Sequence, residues 1–377
     1  MDTVELAKSL ISFNTTTPPG NEEDCARFLA DQVQDLHIDG AEIEVQRFQE
    51  GRANLIATFD GDGPGLLLAG HIDVVPAKDA ENWTSPPFEG SLRAGKLYGR
   101  GAADMKGAVA SMVTAIASLK KSRRKRSLVL IGTAGEEVGF DGLYAMIKAG
   151  KFKQVKARAR CGVAGEPTEM NVVRAHKGGV SCKVIFEGRS AHASDPKLGV
   201  NSIENCILFI NELKGYRREL SRTRNEDLGR TLITPTVISG GSKSNVIPGR
   251  CELTLDGRLI PEHTSKSVLD RLQTLIGTLS KRHENFSARI EVLYRTPPLV
   301  TPRGDPFVKT CEALTKSTST IALYGTEAGV YAENGIPSVV LGPGNIKQAH
   351  IIDEFITLKQ LRSAETVYTR LIKEICL

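Results

Sequence analysis

The feature that most constrains the fold of this chain is a short apolar run, Leu66–Gly70, which ends in His71-Ile72-Asp73. An apolar run of this length that stops at a glycine is typical of a buried strand in an α/β sheet. Polar side chains after such a strand lie at the carboxyl edge of the sheet, where α/β proteins bind ligands. In extended backbone His71 and Asp73 project to one face, so the carboxylate could steady an imidazole that binds a metal. The alternative is a histidine that is merely hydrogen-bonded to its neighbour.

The same pattern of a buried strand followed by acidic side chains returns twice. The run Leu128–Gly132 precedes Glu136 and Glu137, and the run Arg160–Gly165 precedes Glu166. Adjacent glutamates beside a buried strand repel each other, and burial raises a carboxylate pKa unless a cation compensates. A bound metal would resolve that conflict.

Two further candidates extend this set. Asp104 lies in a glycine-rich loop before an alanine-rich helix, where an aspartate could equally serve as a helix cap, and His350 follows the predicted strand Pro337–Leu341. Three or four carboxylates with two imidazoles are typical of two divalent ions bridged by a carboxylate, with one carboxylate left to move protons. This chemistry describes amide hydrolysis. A serine hydrolase would need a G-x-S-x-G motif and a nucleotide-binding protein a complete phosphate loop, and the sequence contains neither.

Composition narrows the class of protein. A length of 377 residues favours at least two compact units, and a net charge of +5 is mild for that length. Much of the excess lies in one basic run at 120–126, which we interpret as a solvated turn and not as a nucleic-acid site. The seven cysteines are scattered without a C-x-x-C pair, and no apolar run reaches membrane-spanning length. We therefore expect a cytoplasmic protein with no nucleic-acid or membrane partner.

The character of the sequence changes near residue 177. Between there and Pro297-Pro298 the pattern predicts strand, helix, two strands, helix and strand, which is the order of a ferredoxin-like unit. We predict a catalytic domain formed by residues 1–176 and 297–377, with an inserted domain at 177–296.

Seven ordered motifs resemble those of one enzyme family. They are AGHIDVVP (69–76), GRGAADMKG (99–107), AGEEVG (134–139), GEPT (165–168), GRSAHASDPKLGVNSIE (188–204), SNVIPGRCELTLDGR (244–258) and GPGNIKQAH (342–350). With these motifs the chain resembles the dinuclear zinc deacylases and exopeptidases, which include acetylornithine deacetylase, succinyl-diaminopimelate desuccinylase, aminoacylase and glutamate carboxypeptidase. The resemblance implies an α/β fold, with a three-layer α/β/α zinc-peptidase catalytic domain and an inserted ferredoxin-like α+β domain that serves as lid and dimerisation surface.

The resemblance also implies a metal-binding set. Two Zn²⁺ ions would be bound, with Co²⁺ or Mn²⁺ as substitutes. His71, Asp104 and Glu166 would hold one ion, and Asp104, Glu137 and His350 would hold the other. The protein would then be a metal-dependent amidohydrolase, and a non-catalytic binding homologue is disfavoured because every one of these residues is present.

The catalytic and positioning roles follow from the same resemblance. Glu136 would be the general base, Asp73 would support His71, and the peptide bond between Asp104 and Met105 would be cis. His192, in the inserted domain, would reach the site of a partner subunit in a homodimer and stabilise the oxyanion, although it could instead cap a turn.

Substrate recognition is assigned to three further residues. Asn245 and Arg258 would hold the α-carboxylate of an N-acyl amino acid, although Arg258 could instead pair with Asp256. Desuccinylases tend to carry two arginines where His176 and Lys177 stand, so the acyl group should be small and neutral, as in N2-acetyl-L-ornithine. We further hypothesise that Glu327 faces the cationic end of the substrate. Desuccinylation, or cleavage of another N-acyl amino acid or a peptide, remains the alternative.

Overall fold

A computed structural model describes residues 2–120 and 122–377; Lys121, in the basic run, lies outside the described residues. The described residues form ten α-helices and eighteen strands. The helices are α1 Thr3–Ile11, α2 Glu23–Gln34, α3 Lys106–Ile116, α4 Asp141–Lys148, α5 Lys151–Arg158, α6 Ser202–Leu220, α7 Ser265–Arg282, α8 Pro306–Thr315, α9 Ala328–Glu333 and α10 Leu358–Cys376.

The strands form one large sheet and three smaller ones. Their bounds are β1 Ala41–Gln49, β2 Arg52–Phe59, β3 Gly65–His71, β4 Ser91–Arg93, β5 Lys96–Tyr98, β6 Leu128–Thr133, β7 Ala159–Ala164, β8 Val173–His176, β9 Gly178–Glu187, β10 Ala191–His192, β11 Leu232–Gly240, β12 Val246–Ile247, β13 Arg250–Leu259, β14 Ser287–Thr296, β15 Leu299–Val300, β16 Thr320–Ala322, β17 Ser338–Val340 and β18 Phe355–Thr357. The nine-stranded sheet has the order β1-β2-β6-β3-β7-β17-β8-β15, with β16 paired to β8. It is mixed, because β3 is parallel to β6 and β7 while β2 is antiparallel to β6.

The centre of this sheet sets the position of the polar residues that follow its strands. Every residue of β3 is buried, so the strand is covered on both faces, as its unbroken apolar sequence predicts. α3 and α10 contact β3 and each other, while α4 and α5 form a second packed pair on the sheet. This arrangement confirms the predicted α/β class.

The helix α3 is buried along its whole length. All eleven of its residues are buried, and its glycine, alanines and serine allow close packing against α1 and α10. α10 ends the chain as an amphipathic helix that begins with a capping box, in which the side chains of Thr357 and Gln360 each accept a backbone N–H of the other's residue. Because α3 begins just after Asp104, its rigid packing fixes the end of that loop.

The chain divides into two compact units. The first comprises residues up to Arg174, Val300–Thr320 and Thr326–Leu377, and the second comprises Ala175–Leu299 and Ile321–Gly325. The sequence prediction put the inserted domain at 177–296 and did not anticipate that the short segment Ile321–Gly325 would join it.

The second unit is built on a four-stranded antiparallel sheet of order β11-β13-β9-β14. Residues on β13 alternate between buried and partly exposed, so one face of the sheet packs against α6 and α7. The longer elements of the unit, β9, α6, β11, β13, α7 and β14, follow one another in the expected β-α-β-β-α-β order. α6 is nineteen residues long, and its buried stripe continues through Leu213 and Tyr216 to Leu220.

Two features seen in the sequence have simple structural explanations. The seven cysteines are all free and buried, and burial raises the pKa of each thiol. In the basic run, Arg124 donates to the carbonyl oxygens of Asp60 and Asp39, and Arg126 donates to that of Pro64. The run therefore ties neighbouring turns together.

Among the described residues no helix is long and apolar enough to span a membrane.

Candidate metal centre

The carboxyl ends of three parallel strands bring four of the predicted site residues to one edge of the sheet. His71 ends β3 and is paired in register with Thr133, the last residue of β6, so that Glu136 and Glu137 follow directly. Ala164 ends β7 beside Ala69, two residues before Glu166. Three segments far apart in sequence thus deliver their polar side chains to the same place.

His71 is buried at the centre of this cluster. Its Nε2 lies 3.0 Å from Oδ1 of Asp104 and 3.9 Å from Oε1 of Glu166, and its Nδ1 donates to the carbonyl oxygen of Asp73 at 3.0 Å. Burial alone would lower the pKa of His71, but the hydrogen bond to Asp104 and the charge of Glu166 raise it well above its usual value. Because Nδ1 contacts the carbonyl oxygen, Nε2, which faces the carboxylates, is the nitrogen available to bind a metal.

Asp104 joins the two imidazoles. Its Oδ1 contacts His71, and its Oδ2 lies 3.3 Å from Nε2 of His350. Burial opposes ionisation, but the hydrogen bonds from both histidines lower the pKa of Asp104. The N-cap position of α3 is held by Met105 without a side-chain cap, so Asp104 is not the helix cap that its sequence position allowed. The Asp104-Met105 peptide is cis, as predicted from the resemblance.

Two glycines make room beneath the cluster for the loop that carries Asp104 and Met105. A Cβ on Gly70 or Gly165 would come within 3.0 Å of the end of the Met105 side chain. The glycines at the ends of β3 and β7 therefore let Met105 pack under the sheet edge, which brings Asp104 up to the histidines.

Glu137 and His350 complete the exposed side of the cluster. Oε1 of Glu137 lies 2.9 Å from Nε2 of His350. Hydrogen bonds to Asp104 and Glu137 raise the pKa of His350 to about 10, and its side chain is half-exposed. The backbone of His350 is in the left-handed region, with φ of 63°. The imidazole thus contacts two carboxylates of the set at once.

Asp73 has a different set of contacts from the one that the resemblance suggested. Its two carboxylate oxygens accept the backbone N–H groups of Glu136 at 3.0 Å and Glu137 at 3.2 Å, while the closest approach of a carboxylate oxygen to Nδ1 of His71 is 3.6 Å. Burial raises the pKa of Asp73 to about 7. Asp73 is therefore hydrogen-bonded to the segment 134–142 that carries Glu136 and Glu137, which we call the glutamate loop. Its support of His71 comes through its own backbone carbonyl oxygen.

The glutamate loop is held from outside as well. Asn54 accepts the N–H of Ala134 at 3.0 Å and donates to the carbonyl oxygen of Gly142 at 2.9 Å, so it ties both ends of the loop. Arg52 is ion-paired to buried Glu22 at 3.0 Å and to Asp141 at 2.8 Å. These residues were not predicted, because nothing local in the sequence connects them to positions 134–142.

The donor set fits a divalent metal. Ligand atoms of His71, Asp104 and Glu137 lie within 4.8 Å of one another. Burial together with the charge of Glu166 raises the pKa of Glu136, and burial together with the charge of Asp104 raises that of Glu166. The crowded carboxylates therefore lack enough positive charge among the described residues, and a cation would supply it. Hard oxygen donors with two imidazoles suit Zn²⁺, Mn²⁺ or Co²⁺.

Glu327 is buried beside this cluster. Its Oε2 accepts hydrogen bonds from the hydroxyls of Thr133 and Tyr331, both at 2.8 Å. Its Oε1 is buried and has no hydrogen-bond partner among the described residues. Burial raises the pKa of Glu327. One acceptor oxygen is thus unused.

The predicted residues of the second unit have local partners. Nδ1 of His192 lies 2.7 Å from Oγ of Ser194 and accepts the N–H of that residue, which is the turn-capping alternative. His192 and Asn245 are neighbours, because β10 pairs with β12 and the N–H of Ala193 donates to the carbonyl oxygen of Asn245. Arg258 donates through Nε to Asp256 at 2.8 Å, which is the pairing alternative. The outer N–H groups of its guanidinium are left for other partners.

One buried carboxylate near this candidate metal site was missed. Glu354 accepts hydrogen bonds from the N–H groups of Ala103 and Asp104 and is ion-paired to Arg100. Its only sequence signal is its place four residues after His350, and a lone glutamate there has no pattern that distinguishes it from a surface residue.

Comparisons with known proteins identify the fold and the family. Three solved structures share the fold: the M20 family metallo-carboxypeptidase Sso-CP2 from Sulfolobus solfataricus (18% identity, 99% of each chain covered, TM-score 0.80), aminopeptidase PepT from Bacillus cereus (22%, 99% of this chain and 97% of that chain, 0.74) and a dinuclear metal binding peptidase from Bacillus subtilis (15%, 98% and 96%, 0.68). The model of peptidase family M20/M25/M40 matches residues 67–374. The chain therefore belongs to peptidase family M20/M25/M40.

Proposed function

We propose that this hydrolase of the M20 family cleaves the amide bond of an N-acyl amino acid, and that N2-acetyl-L-ornithine, which would yield L-ornithine and acetate, is its substrate. The observation that carries the proposal is the convergence of His71, Asp104, Glu137 and His350, with Glu166 3.9 Å from His71. This donor set would hold two divalent metal ions, for which we propose zinc. Bound metal supplies Lewis acidity and lowers the pKa of water.

Glu136 is the proposed general base. Its backbone is fixed by Asp73, and burial and the charge of Glu166 raise the pKa of its carboxyl group. A carboxylate whose pKa is raised toward neutral pH accepts a proton from water more readily than one with the ordinary value, and its protonated form is still acidic enough to give that proton to the leaving amine. Glu136 is also the carboxylate that the proposed ligand set leaves over.

The second unit supplies the proposed recognition groups. Asn245 and Arg258 would bind the substrate carboxylate, and the two outer nitrogens of the Arg258 guanidinium keep donors for a bidentate contact while Nε bonds Asp256. His192, exposed next to Asn245, would stabilise the oxyanion in a partner subunit. We place the ammonium group of ornithine near Oε1 of Glu327, because that buried oxygen has no partner among the residues described.

We further propose a homodimer formed through the second unit. β11 is an edge strand of the four-stranded sheet, and Leu232, Val237 and Ile238 expose more than half of their surface along it. An apolar edge strand of this kind is suited to pairing with a second copy. Light scattering coupled to size exclusion should give twice the mass of 40.8 kDa, and Ile238→Lys should lower it.

The experiment is hydrolysis by metal-stripped protein that has been reloaded with Zn²⁺, Co²⁺ or Mn²⁺. The panel contains N2-acetyl-L-ornithine, N-acetyl-L-methionine, N-succinyl-diaminopimelate, a dipeptide and a tripeptide. Metal should restore release of ornithine, and Glu136→Gln should lower kcat by about 10²–10⁴-fold with unchanged metal content. The exposed Glu284→Gln is the control. Cleavage of the peptides but not of acetylornithine would leave family membership intact and refute the deacetylase assignment.

A further inference from the structure

Glu354 is a buried carboxylate, and its side-chain hydrogen bonds to the described residues lie in the loop that leads to Asp104. It is inaccessible to solvent, and its Oε1 accepts the backbone N–H groups of Ala103 at 2.9 Å and Asp104 at 3.0 Å. Its Oε2 accepts from Nη1 of Arg100 at 2.6 Å. One side chain therefore holds three residues of a single loop, Arg100, Ala103 and Asp104.

The two backbone contacts fix the residue whose side chain joins the imidazoles. Residues 101–105 form turns and not a helix or strand, so no regular ladder of hydrogen bonds holds Ala103 and Asp104. A single carboxylate oxygen that accepts both N–H groups sets the orientation of the peptide plane before Asp104. Hydrogen bonds from N–H groups to a carboxylate are stronger than those to a neutral acceptor.

Glu354 also belongs to the segment that carries His350, four positions earlier. Its carbonyl oxygen accepts the N–H of Gly99 at 2.9 Å, and the next residue, Phe355, pairs with Tyr98. The segment after His350 and the loop before Asp104 are thus joined by both backbone and side chain. Oδ2 of Asp104 and Nε2 of His350 lie 3.3 Å apart across this junction.

Arg100 offsets the buried charge of Glu354. Its side chain is buried, and its guanidinium carbon lies 5.2 Å from the ring centre of Trp83. A buried ion pair of this kind contributes little net stability by itself, because desolvation of both charges opposes their attraction. The pair is therefore better explained by what the other carboxylate oxygen, Oε1, holds, which is the N–H groups of Ala103 and Asp104.

We propose that Glu354 is a positioning residue that sets the placement of Asp104 relative to His350 and so the affinity of the site for its metals. The inference rests on the proposed function, since it assumes that Asp104 and His350 are ligands. It assigns no contact between Glu354 and metal or substrate. Outer partners of metal ligands change metal affinity or activity by about 10- to 100-fold when they are replaced.

The test is competitive titration of metal-stripped protein with Zn²⁺ against a chromophoric chelator. Glu354→Gln should weaken Zn²⁺ binding by at least about tenfold, because its amide nitrogen would face either Arg100 or the two N–H groups. Adding Arg100→Met removes that conflict and leaves the amide oxygen for Ala103 and Asp104, so the double variant should recover most of the affinity. Glu354→Leu with Arg100→Met, which has no acceptor, should not recover it.

Controls separate positioning from loss of fold. The Tyr368 hydroxyl donates to the carbonyl oxygen of Leu341 at 2.7 Å, another buried hydrogen bond of the same unit. Tyr368→Phe removes that bond and should leave Zn²⁺ affinity unchanged. Amide hydrogen exchange at Asp104 in the metal-free protein should accelerate when Glu354→Leu is combined with Arg100→Met. It should stay slow when Glu354→Gln is combined with Arg100→Met.

The outcomes are distinguishable. If both double variants bind Zn²⁺ equally, the acceptor oxygen has no role and the inference is overturned, while the proposed function stands. If the wild-type protein binds no divalent metal at all, the proposed function fails and the inference with it.

Discussion

Replacement of Asp73 by asparagine tests whether this residue acts through the glutamate loop. Each carboxylate oxygen accepts one backbone N–H, from Glu136 or Glu137. Asparagine keeps one acceptor and turns an amide nitrogen toward the other N–H. A hydrogen bond to a charged group contributes about 1.5–3 kcal/mol, and each 1.36 kcal/mol corresponds to a factor of ten in rate. We therefore expect kcat/KM to fall by about 10- to 150-fold.

The assay is steady-state hydrolysis of the best substrate of the panel, with metal content measured on the same samples. Loss of the bond to Glu136 should lower kcat at full metal content, whereas loss of the bond to Glu137 should lower the metal content. Asp305→Asn is the matched control, because Asp305 also accepts a backbone N–H, at 2.8 Å from Phe307, at the start of α8. It should leave kcat/KM within about twofold.

A double variant provides the refutation. If Asp73 acts by orienting Glu136, its replacement should cost little further activity in the Glu136→Gln background, since residues that act as a unit are not additive. Full additivity of the two losses would show that Asp73 does not act through Glu136. A kcat/KM within twofold of wild type for Asp73→Asn alone would show that its contacts to the loop are without catalytic effect.

Three further predictions concern single residues. Glu327→Gln should weaken cleavage of acetylornithine more than of acetylmethionine, and equal losses would remove its role with the cationic end. His350, with a pKa raised to about 10, contributes stability to the metal-free protein that is complete below pH 6.5 and is lost as the pH rises through 10. At pH 7.5 a binding metal ion must displace the proton of His350. Calorimetry of metal binding in two buffers should therefore show that His350→Gln releases about one proton fewer than the wild-type protein. Gly342→Ala would put a Cβ 1.9 Å from the carbonyl oxygen of Gly165, so the free energy of unfolding, measured by chemical denaturation, should fall by about 1–3 kcal/mol or more. Gly63→Ala, whose Cβ would meet open space, should leave it unchanged.

The position of the cluster of carboxylates and imidazoles around His71 could be predicted because it depends on strand ends. His71, Glu137 and Glu166 each follow an unbroken apolar run, and parallel strands bring their carboxyl ends to one edge. The roles assigned to these residues came from the resemblance and stay predictions. What the pattern could not supply was the order of strands, since β6 lies between β2 and β3 although it follows both in sequence.

Side-chain partners were harder to predict than positions. The sequence left two readings open for His192 and Arg258, and in the structure each contacts a residue two positions away, Ser194 or Asp256. Such contacts depend on rotamers that neither periodicity nor spacing specifies. Glu354 was missed for a related reason: its importance comes from N–H groups 250 positions earlier, and nothing next to it in the chain marks them.

The burial of every cysteine has a practical consequence. A thiol with a raised pKa is a poor nucleophile at neutral pH, and enclosure keeps alkylating reagents away from it. A cysteine introduced at one exposed position in each unit would therefore react with a maleimide spin label or fluorophore ahead of the native seven. Distance measurements between such labels could then follow the arrangement of the two units during turnover without a cysteine-free background.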